Sequence, residues 1–299
     1  MGYQVLLYYW FCQIDEPESF AQEHRVLCER LELKGRILVA TEGINGSVSG
    51  TPEACMAYQT ALLADDRFAG MEFKVEECEG HTFKGMHVRV RPEIITLGTP
   101  LSTPVQERTG IHLSPAEWRK KMNEDNVILL DGRNNYESTV GRFKGAVCPP
   151  VENFREFPAW LETHRDELAG KQILTYCTGG IRCEKLSTWM LENGFESVYQ
   201  LHGGIVKYAQ NPETEGEGFE GVNVVFDDRV VTSAGPKAEP LTRCRECGEL
   251  CANYVNCANV LCNDRMIMCA SCEVLTERCC SAACRTSESK REKGQKLRA

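Results

Sequence analysis

The stretch "YCTGGIRCEK", Tyr176 to Lys185, decides the central fold. The apolar run "KQILTYC" before it reads as a strand that delivers Cys177 at its end. Two glycines follow, free to take backbone conformations that other residues avoid, and the chain continues as a helix expected from Leu186 onward. A turn of this kind points successive amides inward at a helix N-terminus and so forms an anion site. A thiol placed there falls below its free pKa of about 8.5. Cys177 is therefore expected as a nucleophilic thiolate, reachable at the floor of a pocket, and Arg182 as a clamp for an oxyanion. Thr178, Gly179 and Gly180 support the loop. Cys183 reads as a small residue in the first helical turn, or as a thiol that resolves an oxidised Cys177. A buried structural cysteine in a glycine turn is the plain alternative.

Around this loop strands and helices alternate. Ser114 caps a helix with Pro115 at its first position; "NVILLDGR" is a strand, "FPAWLETHRDELAG" a helix, "SVYQLHGG" a strand and "GIVKYAQ" a helix. Alternation means a parallel α/β sheet whose ligands sit beyond the carboxyl ends of the strands, which is where Cys177 falls. The domain is expected over 105–220.

The first hundred residues read differently. "YQVLLYYWF", "GRILVA", "INGSVSG", "MEFKVEE" and "HVRVRPEIITLG" are strand candidates, with helices over "EPESFAQEHRVLCERLEL" and "TPEACMAYQTALLADDRF". The order β-α-β-β-α-β with an added strand is that of a ferredoxin-like, acylphosphatase-like α+β sandwich over 1–100. Lys34, Arg36, Lys84, Arg89 and Arg91 lie around its strands and turns and are candidates for gripping RNA; His81 and His87 read as surface polar residues. A hairpin and linker are expected over 221–243.

Of the 17 cysteines, ten fall between Cys244 and Cys284. Two CxxC knuckles, Cys244/Cys247 and Cys269/Cys272, alternate with the looser pairs Cys257/Cys262 and Cys280/Cys284. Eight such ligands suit two tetrahedral four-thiolate zinc sites, cross-braced by joining the first pair to the third and the second to the fourth. Cys251 and Cys279 would be spare. An iron–sulfur centre and a reducible thiol store are the alternatives for this module over 244–285. A basic tail, 286–299, ends the chain.

Composition is that of a globular protein, with 42% hydrophobic and 26% charged residues, and no run approaches the ~18 apolar residues of a membrane span. "MGYQVLLYYWFCQ" lacks the basic start of a secretion signal, so a cytoplasmic location is expected. A net charge of −9 argues against one large basic face. No pattern calls for a membrane or a protein partner.

"CTGGIR" after a strand, with "LLDGRNNYE…GRFKGA" before it and "LHGGI" after it, resembles the rhodanese homology domain. The resemblance implies a loop of the C-x4-R form that carries persulfide sulfur, with Asp131, Arg133 and Glu137 in the framework near it. The usual "GHIPGA" is replaced by "GRFKGA", with Arg142, Phe143 and Lys144, a departure from a plain thiosulfate sulfurtransferase. With "LKGRILVATEGINGSVSGT", "FKGMHVRVRPEIITLG", "NYVNCANVLCN" and "CCSAAC" added, nearly the whole chain resembles the TrhO family of tRNA uridine hydroxylases. That resemblance implies a tRNA substrate, oxygen addition at C5 of the wobble uridine, Cys177 as the required cysteine, and prephenate or molecular oxygen as oxygen donor. A rhodanese-type sulfurtransferase is the alternative enzyme.

Overall fold

The computed structural model describes residues 2–235 and 238–291. Most of the expected basic tail, 292–299, lies outside the described residues.

The N-terminal domain contains β1 (Tyr3–Phe11), α1 (Pro17–Arg30), β2 (Lys34–Ala40), β3 (Gly43–Gly50), α2 (Pro52–Leu63), β4 (Lys74–Cys78) and β5 (Met86–Val90). Its sheet order is β4-β1-β3-β2-β5, with β5 added in parallel at the β2 edge of an antiparallel sheet. Pro17 starts α1, and the Thr51 side chain accepts from the Ala54 amide to start α2, as the sequence chemistry dictates. Strand alternation sends Leu6, Tyr8, Ile37, Val39, Ile44, Val48 and Val88 to the helical side, where they form one core with Cys28, Tyr58 and Leu62. The other face carries Leu7, Tyr9 and Phe11 of β1, and this face is covered by the next domain.

The second domain contains β6 (Ile111–Leu113), α3 (Pro115–Lys121), β7 (Val127–Asp131), α4 (Asn135–Val140), β8 (Gly141–Phe143), α5 (Phe157–Thr163), α6 (Arg165–Leu168), β9 (Gln172–Tyr176), α7 (Ile181–Glu192), β10 (Val198–Leu201) and α8 (Gly204–Gln210). The four strands β6-β10-β9-β7 are all parallel. Leu161, Leu186 and Met190 pack one face; Trp118, Ile205 and Tyr208 pack the other. Ser114 and Glu117 form the capping box that opens α3.

Four details differ from the sequence reading. The connector contributes the edge strand β6, since "IHL" finds β10 to pair with. The helix expected over 157–170 breaks at His164 into α5 and α6. The helix α7 begins at Ile181, because Gly180 turns the chain at a φ of 105° and the helix starts immediately after it. Finally, β11 (Phe219–Val224) and β12 (Val231–Ser233) form the expected hairpin, but β11 also pairs with β8, so this segment is part of the second domain's structure and not a free linker.

The cysteine-rich end adds β13 (Tyr254–Asn256), β14 (Arg265–Ile267), α9 (Ala270–Leu275) and α10 (Ala282–Arg285). Its buried cluster consists largely of cysteines with a few apolar residues such as Val255, Met266 and Met268. It leans on α4: Tyr254 and Ile267 pack with Tyr136, Val140 and Val222, and Arg265 stacks over the Tyr136 ring at 4.7 Å.

Candidate active site

Cys177 leaves the end of β9 and the chain turns through Gly179 and Gly180 into α7. The Gly180 amide donates to the Cys177 sulfur at 3.1 Å. The loop carbonyls are held from the other side: the Ile205 amide donates to the Cys177 carbonyl at 3.0 Å and the Val206 amide to that of Thr178 at 3.1 Å. That approach explains the second glycine of "LHGGI". Gly204 has a φ of +67°, and a Cβ there would stand 2.5 Å from the Cys177 carbonyl oxygen and 2.6 Å from that of Thr178.

Two buried ion pairs frame the loop. Arg133 donates to both carboxylate oxygens of Asp131, at 2.9 and 2.7 Å, and to the Gly141 carbonyl; Tyr176 adds a hydrogen bond to Asp131 at 2.8 Å. Arg182 makes a two-pronged pair with Glu137, at 2.6 and 2.7 Å, and reaches the Thr178 hydroxyl at 3.4 Å. The expected free clamp is corrected here. Both terminal nitrogens of Arg182 are committed to Glu137, so Arg182 acts on the sulfur through its charge and not as an open fork.

Burial alone would push the Cys177 thiol up. The Cys183 thiol, the charge of Arg182 and the amides of Gly180 and Arg182 outweigh it, and its pKa falls to about 5. Burial and the adjacent Cys177 sulfur push Cys183 well up, the opposite direction from its neighbour.

The expectation of a reachable sulfur is also corrected: Cys177 is 0% exposed. Its roof is β1 of the N-terminal domain. A Cβ on Gly179 would meet Leu7 at 2.9 Å, and one on Gly180 would meet the Tyr9 hydroxyl at 2.8 Å. Tyr9 then donates to Glu184 of α7 at 2.9 Å. Glu184 also takes hydrogen bonds from His112 and Gln200; burial raises its pKa, but these partners hold it below the ordinary carboxylate value. Lys74, buried on β4, lies over the Tyr9 ring at 5.0 Å. The sequence reading missed Tyr9, Lys74 and Glu184. Period-two alternation marks Lys74 as facing away from the first domain's core, but nothing local says that another domain covers that side.

Of the basic candidates of the first domain, Lys34, Arg36 and Arg89 lie on strands of this same sheet, and Lys84 and Arg91 flank β5. Arg36 is opposite Ser47 of β3 and His87 of β5, and Ser47 is opposite Leu7, so these residues share the roof face. Arg89 stands in the next row beside Leu38. Arg36, Lys84, Arg89 and Arg91 are exposed and Lys34 is half-buried.

At the C-terminal end the structure brings together Cys244, Cys247, Cys269 and Cys272 in one set and Cys257, Cys262, Cys280 and Cys284 in another, the sulfurs of each lying within 4.8 Å of one another. These are the sets that the cross-braced pairing joins. The sulfur separations are 3.7 Å (Cys247–Cys269), 3.6 Å (Cys262–Cys280) and 3.5 Å (Cys280–Cys284). A zinc ion with bonds of about 2.3 Å to four tetrahedral thiolates needs about 3.8 Å between sulfurs, so the residues fit the ion. Cys251 accepts from the Asn253 amide, and Cys279 faces the Glu277 carbonyl, outside both sets.

A cysteine loop at the end of a parallel strand, framed by two buried arginine–carboxylate pairs, defines a rhodanese-fold protein with an added N-terminal domain. Family models agree: residues 3–94 match the UPF0176 acylphosphatase like domain, 114–211 the rhodanese-like domain and 220–285 the rhodanase C-terminal region. A protein of Bacillus thuringiensis (strain Al Hakam) named tRNA uridine(34) hydroxylase is 47% identical over 286 residues, covering 95% of this chain and 90% of its own. A protein of the same name from Bacillus cereus (strain 03BB102) gives the same figures. The solution structure of an Anabaena rhodanese-like domain is a partial match, 20% identical, covering 36% of this chain and 77% of that one with a TM-score of 0.30. The chain belongs to the family of the proteins named tRNA uridine(34) hydroxylase.

The charge on the sulfur is directly testable. The thiolate absorbance of Cys177, taken as the difference between the native protein and Cys177→Ala, should titrate with a midpoint near 5. In a paired Arg182→Met, Glu137→Gln variant, which leaves no bare buried carboxylate, the midpoint should rise by about 1–3 units.

Proposed function

We propose that this protein hydroxylates uridine 34, the wobble base of tRNA, at carbon 5, with Cys177 as the reacting group. The observation that carries this reading is the kinship over 95% of the chain to proteins of that name, joined to a loop cysteine whose pKa its Cys183, Arg182 and amide neighbours lower to about 5. It favours hydroxylation over sulfur transfer.

The chemistry follows from the base. Carbon 5 of uracil is a weak nucleophile until something adds at carbon 6, and a thiolate suits that addition. The Cys177 sulfur bonds to C6 and the ring electrons move to the oxygen at C4, where loop amides and the field of Arg182 meet the charge. Carbon 5 then takes an electrophilic oxygen from a donor, which is reduced by two electrons. Loss of the C5 proton and departure of the thiolate restore the C5–C6 double bond. Prephenate and molecular oxygen are the donors implied by the family resemblance. Cys183, whose thiol lies beside the sulfur, is suited to protect or resolve it.

A wobble base must leave its stack to reach such a sulfur, and here Leu7 and Tyr9 must also move off it. The exposed cations Arg36 and Arg89, continuing the roof face, would hold the RNA backbone, with Lys34, Lys84 and Arg91 assisting. A tRNA substrate fits a cytoplasmic location, and no helix among the described residues is long and apolar enough to cross a membrane. In each cysteine set one structural zinc ion would tie together a segment too short for an apolar core of its own.

Nucleoside mass spectrometry of tRNA from cells carrying only Cys177→Ala should show loss of 5-hydroxyuridine and its derivatives; persistence of the modification refutes the reading. The double substitution Arg36→Glu, Arg89→Glu should weaken tRNA binding at least tenfold at low salt and flatten its salt dependence, measured by filter binding. Metal analysis of anaerobically purified protein should find one zinc per cysteine set, and Cys272→Ser should lose one and lower the melting temperature.

A further inference from the structure

Lys74 is a buried cation that the chemistry above leaves without a task. It is 6% exposed and sits on β4 directly opposite Leu7, the residue that covers Gly179. Its ammonium lies over the ring of Tyr9, the residue that covers Gly180. Lys74 therefore belongs to the row of side chains that roofs the Cys177 loop. Among the described residues no carboxylate comes within 4.0 Å of it. Glu72, two residues earlier, is instead taken by His202 at 2.9 Å and Lys207 at 2.8 Å.

A buried ammonium with no anion is strongly disfavoured, and so is a buried thiolate with no cation. The titratable and charged groups around the loop and its roof can be followed element by element. From α7 come Arg182, Cys183 and Glu184; from α4, Glu137; from β1, Tyr9; from β4 and the residues before it, Lys74 and Glu72; from α8, Lys207. Arg182 is offset by Glu137, Glu184 is held by His112, Tyr9 and Gln200, and Glu72 joins His202 and Lys207. Arg182 favours the sulfur anion even while Glu137 holds it, and Lys74, with no carboxylate within 4.0 Å among the described residues, is the further cation on the roof side of the loop.

We propose that Lys74 is the counter-charge of the Cys177 thiolate, a positioning residue that the N-terminal domain lends to the loop of its neighbour. It rests on Cys177 being the reacting group. Burial, the stronger influence, pulls the Lys74 ammonium down to about 8, while Glu72 and the Cys177 sulfur both favour its charge. The stronger downward pulls on the sulfur come from Cys183, Arg182 and the loop amides. Lys74 acts at longer range, across the Tyr9 ring, so its removal should move the sulfur less than loss of Arg182 does.

The test uses the full chain without RNA. Thiolate absorbance is titrated in Lys74→Met and Lys74→Arg, each against the same variant carrying Cys177→Ala. Lys74→Met, close in shape but uncharged, is expected to raise the Cys177 midpoint by about one unit, and Lys74→Arg to leave it near the native value. A folded Lys74→Met protein with a native midpoint overturns the proposal, as does a Lys74→Arg protein shifted as far as Lys74→Met. The converse measurement leaves Lys74 in place: in Cys177→Ala, nuclear magnetic resonance of labelled lysine should show the Lys74 midpoint lowered, and no change there also overturns it. Neither measurement involves tRNA. Normal titrations in a protein that does not hydroxylate would count against the function and spare the ion pair; native hydroxylation with an unshifted midpoint would do the reverse.

Discussion

Holding a negative sulfur out of water is costly, and much of the structure around Cys177 answers that cost. The Gly180 amide at 3.1 Å, the charge of Arg182 and the Cys183 thiol each favour the anion that burial opposes. Other contacts hold the loop and the guanidinium in place. Arg182 is fixed by Glu137, itself oriented by its place in the capping box of α4, where it accepts from the Asn134 amide. The loop carbonyls are fixed by the first amides of α8, which come close enough only because position 204 has no side chain. Behind the loop, Arg133, Asp131 and Tyr176 form a second buried set that ties β7, β9 and β8 together.

The outer modules join this arrangement at defined points. The N-terminal sheet contributes its uncovered face, so the same strand that builds one core through Leu6 and Tyr8 seals another domain through Leu7 and Tyr9. The cysteine-rich end presses on α4 through Tyr254, Ile267 and Arg265. Since α4 carries Glu137, the chain of contact from the cysteine sets to Arg182 passes through one short helix. Proper folding of a remote segment thereby bears on the orientation of the guanidinium beside the sulfur.

Local chemistry was legible in the residues. Ser114 starts the helix it was expected to start, because capping depends on near neighbours. The glycine loop announced the strand–turn–helix around Cys177, and the spacing of the thiols anticipated which ones would meet. Long-range partners were not legible. Nothing near Arg182 says that Glu137, 45 positions away, will occupy both its nitrogens. Alternation in "YQVLLYYWF" gives β1 two faces but does not name what lies against the second, and so a sulfur expected in the open is covered. The early start of α7 was missed for a related reason: Gly180 turns the chain at once, and polar residues that look like loop are carried inside the helix.

The cover over Cys177 has one more result. A low-pKa thiol in open solution is prey to peroxides and to any soft electrophile that drifts past. Under Leu7 and Tyr9 the sulfur is shut away from solvent and from the reagents that solvent carries. Sealing the two domains together and sheltering the thiol thus fall to the same two side chains.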